Sequence, residues 1–299
     1  MSNASNQQPR QRKPEWLKAS LPSGERYARL KRLTAQHGLH TVCESASCPN
    51  IGSCWNAGTL TLMILGDTCS RACRFCDVPT GQLQAPNLQE PDDVARMLSA
   101  LDLRYAVITS VDRDDLPDLG ATIWRQTIEK VRLACPDLII ETLTPDFQAK
   151  DRWIDHVCES APHVFAHNVE TTPALHRQVR PQGKYEWSLH ILKRASQQFG
   201  LRTKSSMMLG LGETHDEILA VMNDLLEAGC QMLTLGQYLP PTSSHLPVKE
   251  FIHPDRFREY KELGESLGFS SVASGPLVRS SYMAENQFSA FNKSAKTNK

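Results

Sequence analysis

Cys69, Cys73 and Cys76 fall within one short run, Cys69-Ser-Arg-Ala-Cys73-Arg-Phe-Cys76, at C-x3-C-x2-C spacing with Phe75 just before the last thiol. Three thiolates can hold three irons of a [4Fe-4S] cube and leave the fourth iron open, and an open iron can bind a small molecule through an amine and a carboxylate. The run therefore reads as a catalytic cluster loop and not as an electron carrier, in which cysteine usually caps every iron. Soft sulfur ligands suit zinc equally well, but a zinc knuckle needs a fourth ligand close by. His37 and His40 lie well upstream and the next histidine downstream is His156, so the zinc reading has no local closure.

A second set, Cys43, Cys48 and Cys54 at C-x4-C-x5-C spacing, precedes the first. Six of the nine cysteines thus belong to two tripods, while Cys135, Cys158 and Cys230 stand alone in segments that read as ordinary helix or strand. Free cysteine is among the most buried residue types, so these three are expected to be small buried apolar groups. A disulfide framework is a weak alternative, because the chain is long and shows no secretory leader.

The C-x3-C-x2-C run of Cys69, Cys73 and Cys76 resembles the signature of the radical S-adenosylmethionine (SAM) superfamily. Taken together, the two tripods and the closing Arg279-Ser280-Ser281-Tyr282 closely resemble the lipoyl synthase family. Further matches are E-S-A-S-C-P-N at 44 to 50, M-I-L-G-D-T-C at 63 to 69, H-N-V-E-T at 167 to 171, V-R-P at 179 to 181, G-L-G-E at 210 to 213 and G-Q-Y-L-P-P at 236 to 241. The resemblance implies a SAM-binding [4Fe-4S] cluster on Cys69, Cys73 and Cys76, with Phe75 among the cofactor contacts. It implies an auxiliary [4Fe-4S] cluster on Cys43, Cys48, Cys54 and Ser281, with Ser280 as the alternate serine. It also implies the reaction, insertion of two sulfur atoms at carbons 6 and 8 of a protein-bound octanoyl-lysine, with the auxiliary cluster as sulfur donor. The implied partners are an octanoylated lipoyl-carrier domain (a 2-oxoacid dehydrogenase acyltransferase subunit or the glycine cleavage H protein) and an electron donor such as ferredoxin or flavodoxin.

The ligand set suits that chemistry. A serine alkoxide is harder than a thiolate and is held less firmly by soft cluster iron, which favours a cluster that is to be dismantled. Aliphatic C–H bonds have no acidity or leaving group, so acid–base side chains alone could not functionalise them; a carbon radical made from SAM can. Without the upstream tripod, Ser281 would read as a loop hydroxyl capping the backbone.

Composition agrees with a cytoplasmic enzyme. The 299 residues carry 33 basic and 33 acidic side chains, a balance that argues against a nucleic-acid partner. It also disfavours the runner-up reading of a methylthiotransferase-like two-cluster enzyme acting on RNA. No apolar run approaches the ~20 residues needed to cross a bilayer. The second alternative, a non-catalytic zinc or iron–sulfur module, differs in metal content. Residues 1–14 read as a polar, disordered tail without an apolar leader segment, and the stretch from about 292 as a frayed end.

From about residue 60, strand patterns alternate with helical ones, the mark of parallel βα units. Strands are expected at 60–65, 105–109, 138–143, 164–169, 202–207 and 232–235, and helices at 91–100, 121–134, 150–159, 187–199, 215–228 and 254–267. Six units predict an α/β fold, a partial (β/α)6 TIM-type barrel, with N-terminal and C-terminal extensions over its mouth. The spans are 15–59 for the N-terminal extension, 60–272 for the barrel and 273–299 for the C-terminal extension. The Cys69 loop follows the C-terminal end of the first strand, where barrel enzymes assemble their sites.

Asn168 and Glu170 fall at the end of the fourth strand. Glu170 is a candidate acceptor for the SAM amino group or ribose, and Arg180 a forked donor to its carboxylate; ion pairs between barrel elements are the bland alternative. Gly210, Gly212 and Glu213 read as a tight strand-to-helix turn, and a lone G-x-G is weak. Arg113-Asp114-Asp115 reads as a carboxylate pair or, equally, as a solvated loop. His167 reads as a packed strand histidine, and no histidine spacing suggests a hydrolytic zinc site.

Overall fold

A computed structural model of the chain describes residues 12–18, 21–36, 41–45, 48–101 and 103–297. Most of the expected tail, together with His37, His40 and positions 46–47 of the E-S-A-S-C-P-N match, lies outside the described residues. Aliphatic and β-branched runs form seven parallel strands: β1 (Thr59–Ile64), β2 (Tyr105–Ser110), β3 (Ile139–Leu143), β4 (Val164–Ala166), β5 (Thr203–Leu209), β6 (Met232–Gln237) and β7 (Ser271–Gly275). They stand in chain order, each paired with the next, from Thr59 opposite Tyr105 to Met232 opposite Ser271. No pairing joins β7 to β1 among the described residues, so the barrel is open. Every residue of β1 and β6 is buried, as expected for a parallel sheet covered on both faces.

The helices are α1 (Glu25–Gln36), α2 (Val42–Ser45), α3 (Ile51–Ala57), α4 (Glu90–Ala100), α5 (Ala121–Ala134), α6 (Asp151–Cys158), α7 (Pro173–Val179), α8 (Tyr185–Gln197), α9 (His215–Glu227), α10 (Pro254–Leu267) and α11 (Ala284–Thr297). Their starts follow local chemistry. Pro91, Pro173 and Pro254 occupy first-turn positions where no amide is missed. Thr214 and Glu217 close a reciprocal capping box at α9. The six expected βα units are present, with β7 in addition. Its sequence, Ser-Val-Ala-Ser-Gly, has too few large apolar residues to stand out as a strand.

The C-terminal extension divides. Residues 277–281 join the barrel mouth, whereas α11 closes the opposite end of the lumen. Ala284 and Phe288 pack with Tyr105 and Val107, and Phe291 with Val164 and Met232, residues at or near the starts of their strands. The helix runs to Thr297 where a frayed end is expected from about 292. In the lumen, Lys204 Nζ lies 2.9 Å from Glu141 Oε1, and the Tyr105 hydroxyl donates to Glu141 Oε2 at 2.6 Å.

Candidate active site

Beyond Ile64 the chain turns through Leu65 and Gly66, with φ of 68° and 93°, into the Cys69 loop. The loop is tied on all sides. The Cys69 amide donates to Pro79 O at 2.8 Å, the Ser70 amide to Asp112 O at 3.0 Å and the Arg74 amide to Val179 O at 2.9 Å. Arg71, between the first two thiols, is only 3% exposed. It makes two bidentate forks, with 2.6 and 2.9 Å contacts to both Asp114 and Asp146, and Asp112 lies 3.4 Å away. Planar guanidinium–carboxylate forks fix geometry as well as charge, so Arg71 sets the course of the loop. Asp114 is therefore not half of an acid–base pair: it serves Arg71, while Asp115 serves Arg113 at 2.8 Å. Arg113 itself is buried, whereas Asp115 is exposed, so the solvated-loop reading holds for Asp115 and not for Arg113.

The other tripod lies across the mouth from the Cys69 loop. Cys43 sits in α2, Cys54 in α3, and Cys48 in the turn between them, its amide donating to Cys43 O at 3.0 Å. The Asn50 side chain donates to Leu277 O at 2.6 Å and ties this turn to the C-terminal extension. There the Thr61 hydroxyl of β1 donates to Ser281 Oγ at 3.0 Å. Cys43, Cys48, Cys54 and Ser281 line one small cavity together with Asn50, Thr59, Thr61 and Arg279; Ser280 does not line it. Within each tripod the thiols feel one another's charge. Yet among the described residues no three Cys, His, Asp or Glu side chains stand close enough to hold a single metal ion. Burial pushes Cys54 and Cys69 up to about 11 and Cys73 to about 12; coordination reverses that preference, because a metal-bound thiol is deprotonated outright.

Between the tripods lies a cavity of about 600 Å³. Cys76 and Phe75 border one side, Cys43, Cys48, Ser280 and Ser281 the other, and Asn168 and Glu170 reach it from beyond β4. Met63, Met207, Met208, Leu239, Pro240 and Val278 give it an apolar lining. Glu170 has a left-handed backbone (φ 67°) and accepts from the Asn168 amide group at 3.0 Å; burial raises its carboxyl. Arg180 does not line the cavity. It donates to Asn168 O at 3.1 Å and Ser188 Oγ at 3.2 Å and lies 3.4 Å from Asp146, so it braces the strand end from behind.

A family model of the radical SAM superfamily matches residues 63–225, and one for the N-terminal domain of lipoyl synthase matches residues 2–48. The lipoyl synthase of Christiangramia forsetii is 49% identical over 276 residues, 92% of this chain and 94% of its own. The mitochondrial lipoyl synthase of Nematostella vectensis is 49% identical over 277 residues, 93% of this chain and 95% of its own. The chain belongs to the lipoyl synthase family. As a radical SAM enzyme of that family it uses a [4Fe-4S] cluster and SAM, and the three free thiols of the Cys69 loop at the barrel mouth fit that pair. In fold alone it is similar to the FeFe-hydrogenase maturase HydG from Carboxydothermus hydrogenoformans, with TM-score 0.55 and 13% identity over 89% of this chain and 78% of that one. The same holds for Streptococcus suis SuiB bound to precursor peptide SuiA, with TM-score 0.54 and 12% identity over 83% of this chain and 53% of that one.

Other residues fall as follows in this lipoyl synthase family member. His167 is packed as expected, bonded to Thr144 O at 2.8 Å and Ser188 Oγ at 2.9 Å. The G-L-G-E turn is tight, with Glu213 accepting from the Gly210 and Leu211 amides. Cys158 and Cys230 are buried, whereas Cys135 is half-exposed at the end of α5. Arg71, Thr59, Thr61 and Trp55 escape the sequence reading. The alternation Thr59, Thr61, Met63 along β1 carried the usable signal, since period two places all three on one face.

Proposed function

We propose that this chain inserts two sulfur atoms, at carbons 6 and 8, into an octanoyl group carried on a lysine of a lipoyl-carrier domain. The observation that carries the reading is the single cavity bordered by Cys76 on one side and by Cys43, Cys48 and Ser281 on the other. When bound, the cluster on Cys69, Cys73 and Cys76 supplies with SAM the means to form a carbon radical, and an auxiliary [4Fe-4S] cluster on Cys43, Cys48, Cys54 and Ser281 supplies sulfur. The auxiliary donor set fits a cube: three free thiols and a hydroxyl line one small cavity beside two buried polar atoms without partners, Trp55 Nε1 and Thr59 Oγ1.

The chain's own residues bind and orient. Met63, Met207, Met208 and Val278 offer an alkyl chain a water-poor wall. Asn168 and Glu170 face the same space and are assigned to the SAM amino group or ribose, and Phe75 to packing against the cofactor. Arg180 holds the Asn168 carbonyl from behind, so its part in this reading is to position the strand end that presents Asn168 and Glu170. In this reading residues 60–272 are the catalytic barrel, and the extensions over 15–59 and 273–299 bring in the sulfur donor. The carrier is an acyltransferase subunit of a 2-oxoacid dehydrogenase or the glycine cleavage H protein, and ferredoxin or flavodoxin supplies electrons.

Iron and acid-labile sulfide content of anaerobically purified protein tests the two-cluster premise. About eight irons per chain are expected, falling to about four in a Cys43→Ala, Cys48→Ala, Cys54→Ala variant. An octanoyl-lysine peptide with SAM and reductant then gives the lipoyl product with two SAM molecules cleaved per peptide, and the variant cleaves SAM without making product. Zinc in place of iron, or four irons in both proteins, overturns the assignment.

A further inference from the structure

Trp55 follows Cys54 in α3 and is completely buried, its ring held against Tyr27 at 5.4 Å between centroids. Its indole N–H has no hydrogen-bond partner of ordinary geometry, although the ring lies beside the Cys43 sulfur and acts on it as a donor. Thr59, the first residue of β1, is 2% exposed; its hydroxyl also lacks a partner and lines the small cavity with Cys43, Cys48, Cys54 and Ser281. Of the six buried side-chain polar atoms without partners among the described residues, two therefore belong to this one place. An unsatisfied buried donor costs on the order of 1–3 kcal/mol, and native proteins leave few of them. Valine would fill the volume of Thr59, and phenylalanine most of that of Trp55, without that cost. The Thr59 hydroxyl lacks an acceptor and the Trp55 N–H meets only the Cys43 sulfur at poor geometry; thiolate and sulfide sulfurs at this position would be anionic acceptors for both.

We infer that Trp55 and Thr59 donate hydrogen bonds to sulfur atoms of the auxiliary cluster and thereby set its reduction potential and its hold on iron. The inference rests on the two-cluster reading above. Donors directed at cluster sulfur draw off negative charge and raise the potential, and such outer contacts also secure the ligands. Trp55 and Thr59 are thus positioning residues for the sulfur donor, and neither takes part in forming the carbon radical.

The test uses the full-length, reconstituted protein. Redox titration followed by electron paramagnetic resonance assigns the auxiliary signal as the one lost in the Cys43→Ala, Cys48→Ala, Cys54→Ala variant. Trp55→Phe and Thr59→Val are each expected to keep the full iron content and to shift that signal to a more negative potential, with the other cluster unmoved. Iron release to a chelator from the auxiliary cluster is expected to rise roughly 10-fold. If no signal is lost in the triple variant, the two-cluster reading itself fails. If the signal is present but unmoved in both variants, the hydrogen bonds are refuted and Trp55 is a packing residue only. Should Trp55→Phe fail to load iron, Thr59→Val decides alone: a shifted signal supports the assignment and an unshifted one overturns it.

Discussion

Ser281 shares the small cavity with the three upstream thiols and accepts from Thr61, while Ser280 reaches only the larger cavity. Their substitutions should therefore separate. Ser281→Ala is expected to lower lipoyl product at least 10-fold while SAM cleavage continues, and Ser280→Ala to stay within a few-fold of the parent; mass spectrometry of an octanoyl peptide measures both. In the proposed ligand set Ser281→Cys would exchange a hard ligand for a soft one, so iron content should hold while product falls. That Cys43, Cys48, Cys54 and Ser281 would come together was legible because cysteine spacing and the R-S-S-Y run are local. Arg71 was not, since its partners Asp112, Asp114 and Asp146 arrive from other loops. Trp55 and Thr59 were not either, because a donor awaiting an acceptor has no signature in sequence.

At the scale of elements, the serine is placed by a backbone contact. A Cβ added to Gly236 in β6 would stand 2.1 Å from Val278 O, so only glycine lets the 277–281 segment lie against the strand. Gly236→Ala should push that segment out and cost the auxiliary cluster, leaving about four irons per chain of about eight. Gly81→Ala, at a position with open space around it, should leave iron content unchanged. Iron analysis after reconstitution checks both. The long amphipathic helices α5, α8, α9 and α10 were readable because periodicity accumulates over several turns. The seven-residue α3 and α7 lack that length, and their places depend on the barrel they pack against.

The whole molecule carries a pH dependence of its own. Burial pushes His167 and His176 down to about 4, and the nearby Arg180 guanidinium adds to the effect. Both stay neutral in the folded chain while the unfolded chain takes up protons below about 6.5. Their stabilising contribution is therefore complete above pH 6.5 and is lost as pH falls through 6.5 towards 4, on the order of 3 kcal/mol for the fully buried His167 and less for His176, which solvent screens in part. Asp112, raised by burial to about 6, works in the opposite direction and offsets part of this. Urea unfolding of the metal-free chain is expected to give a lower midpoint at pH 5 than at pH 7.5. Barrel class and strand order were legible from the βα rhythm, but the position of α11 was not, because its Ala284, Phe288 and Phe291 face lumen residues from three different strands. With α11 seated there the lumen is a blind alley. Whatever enters the cavity between the tripods therefore has to leave by the side through which it came.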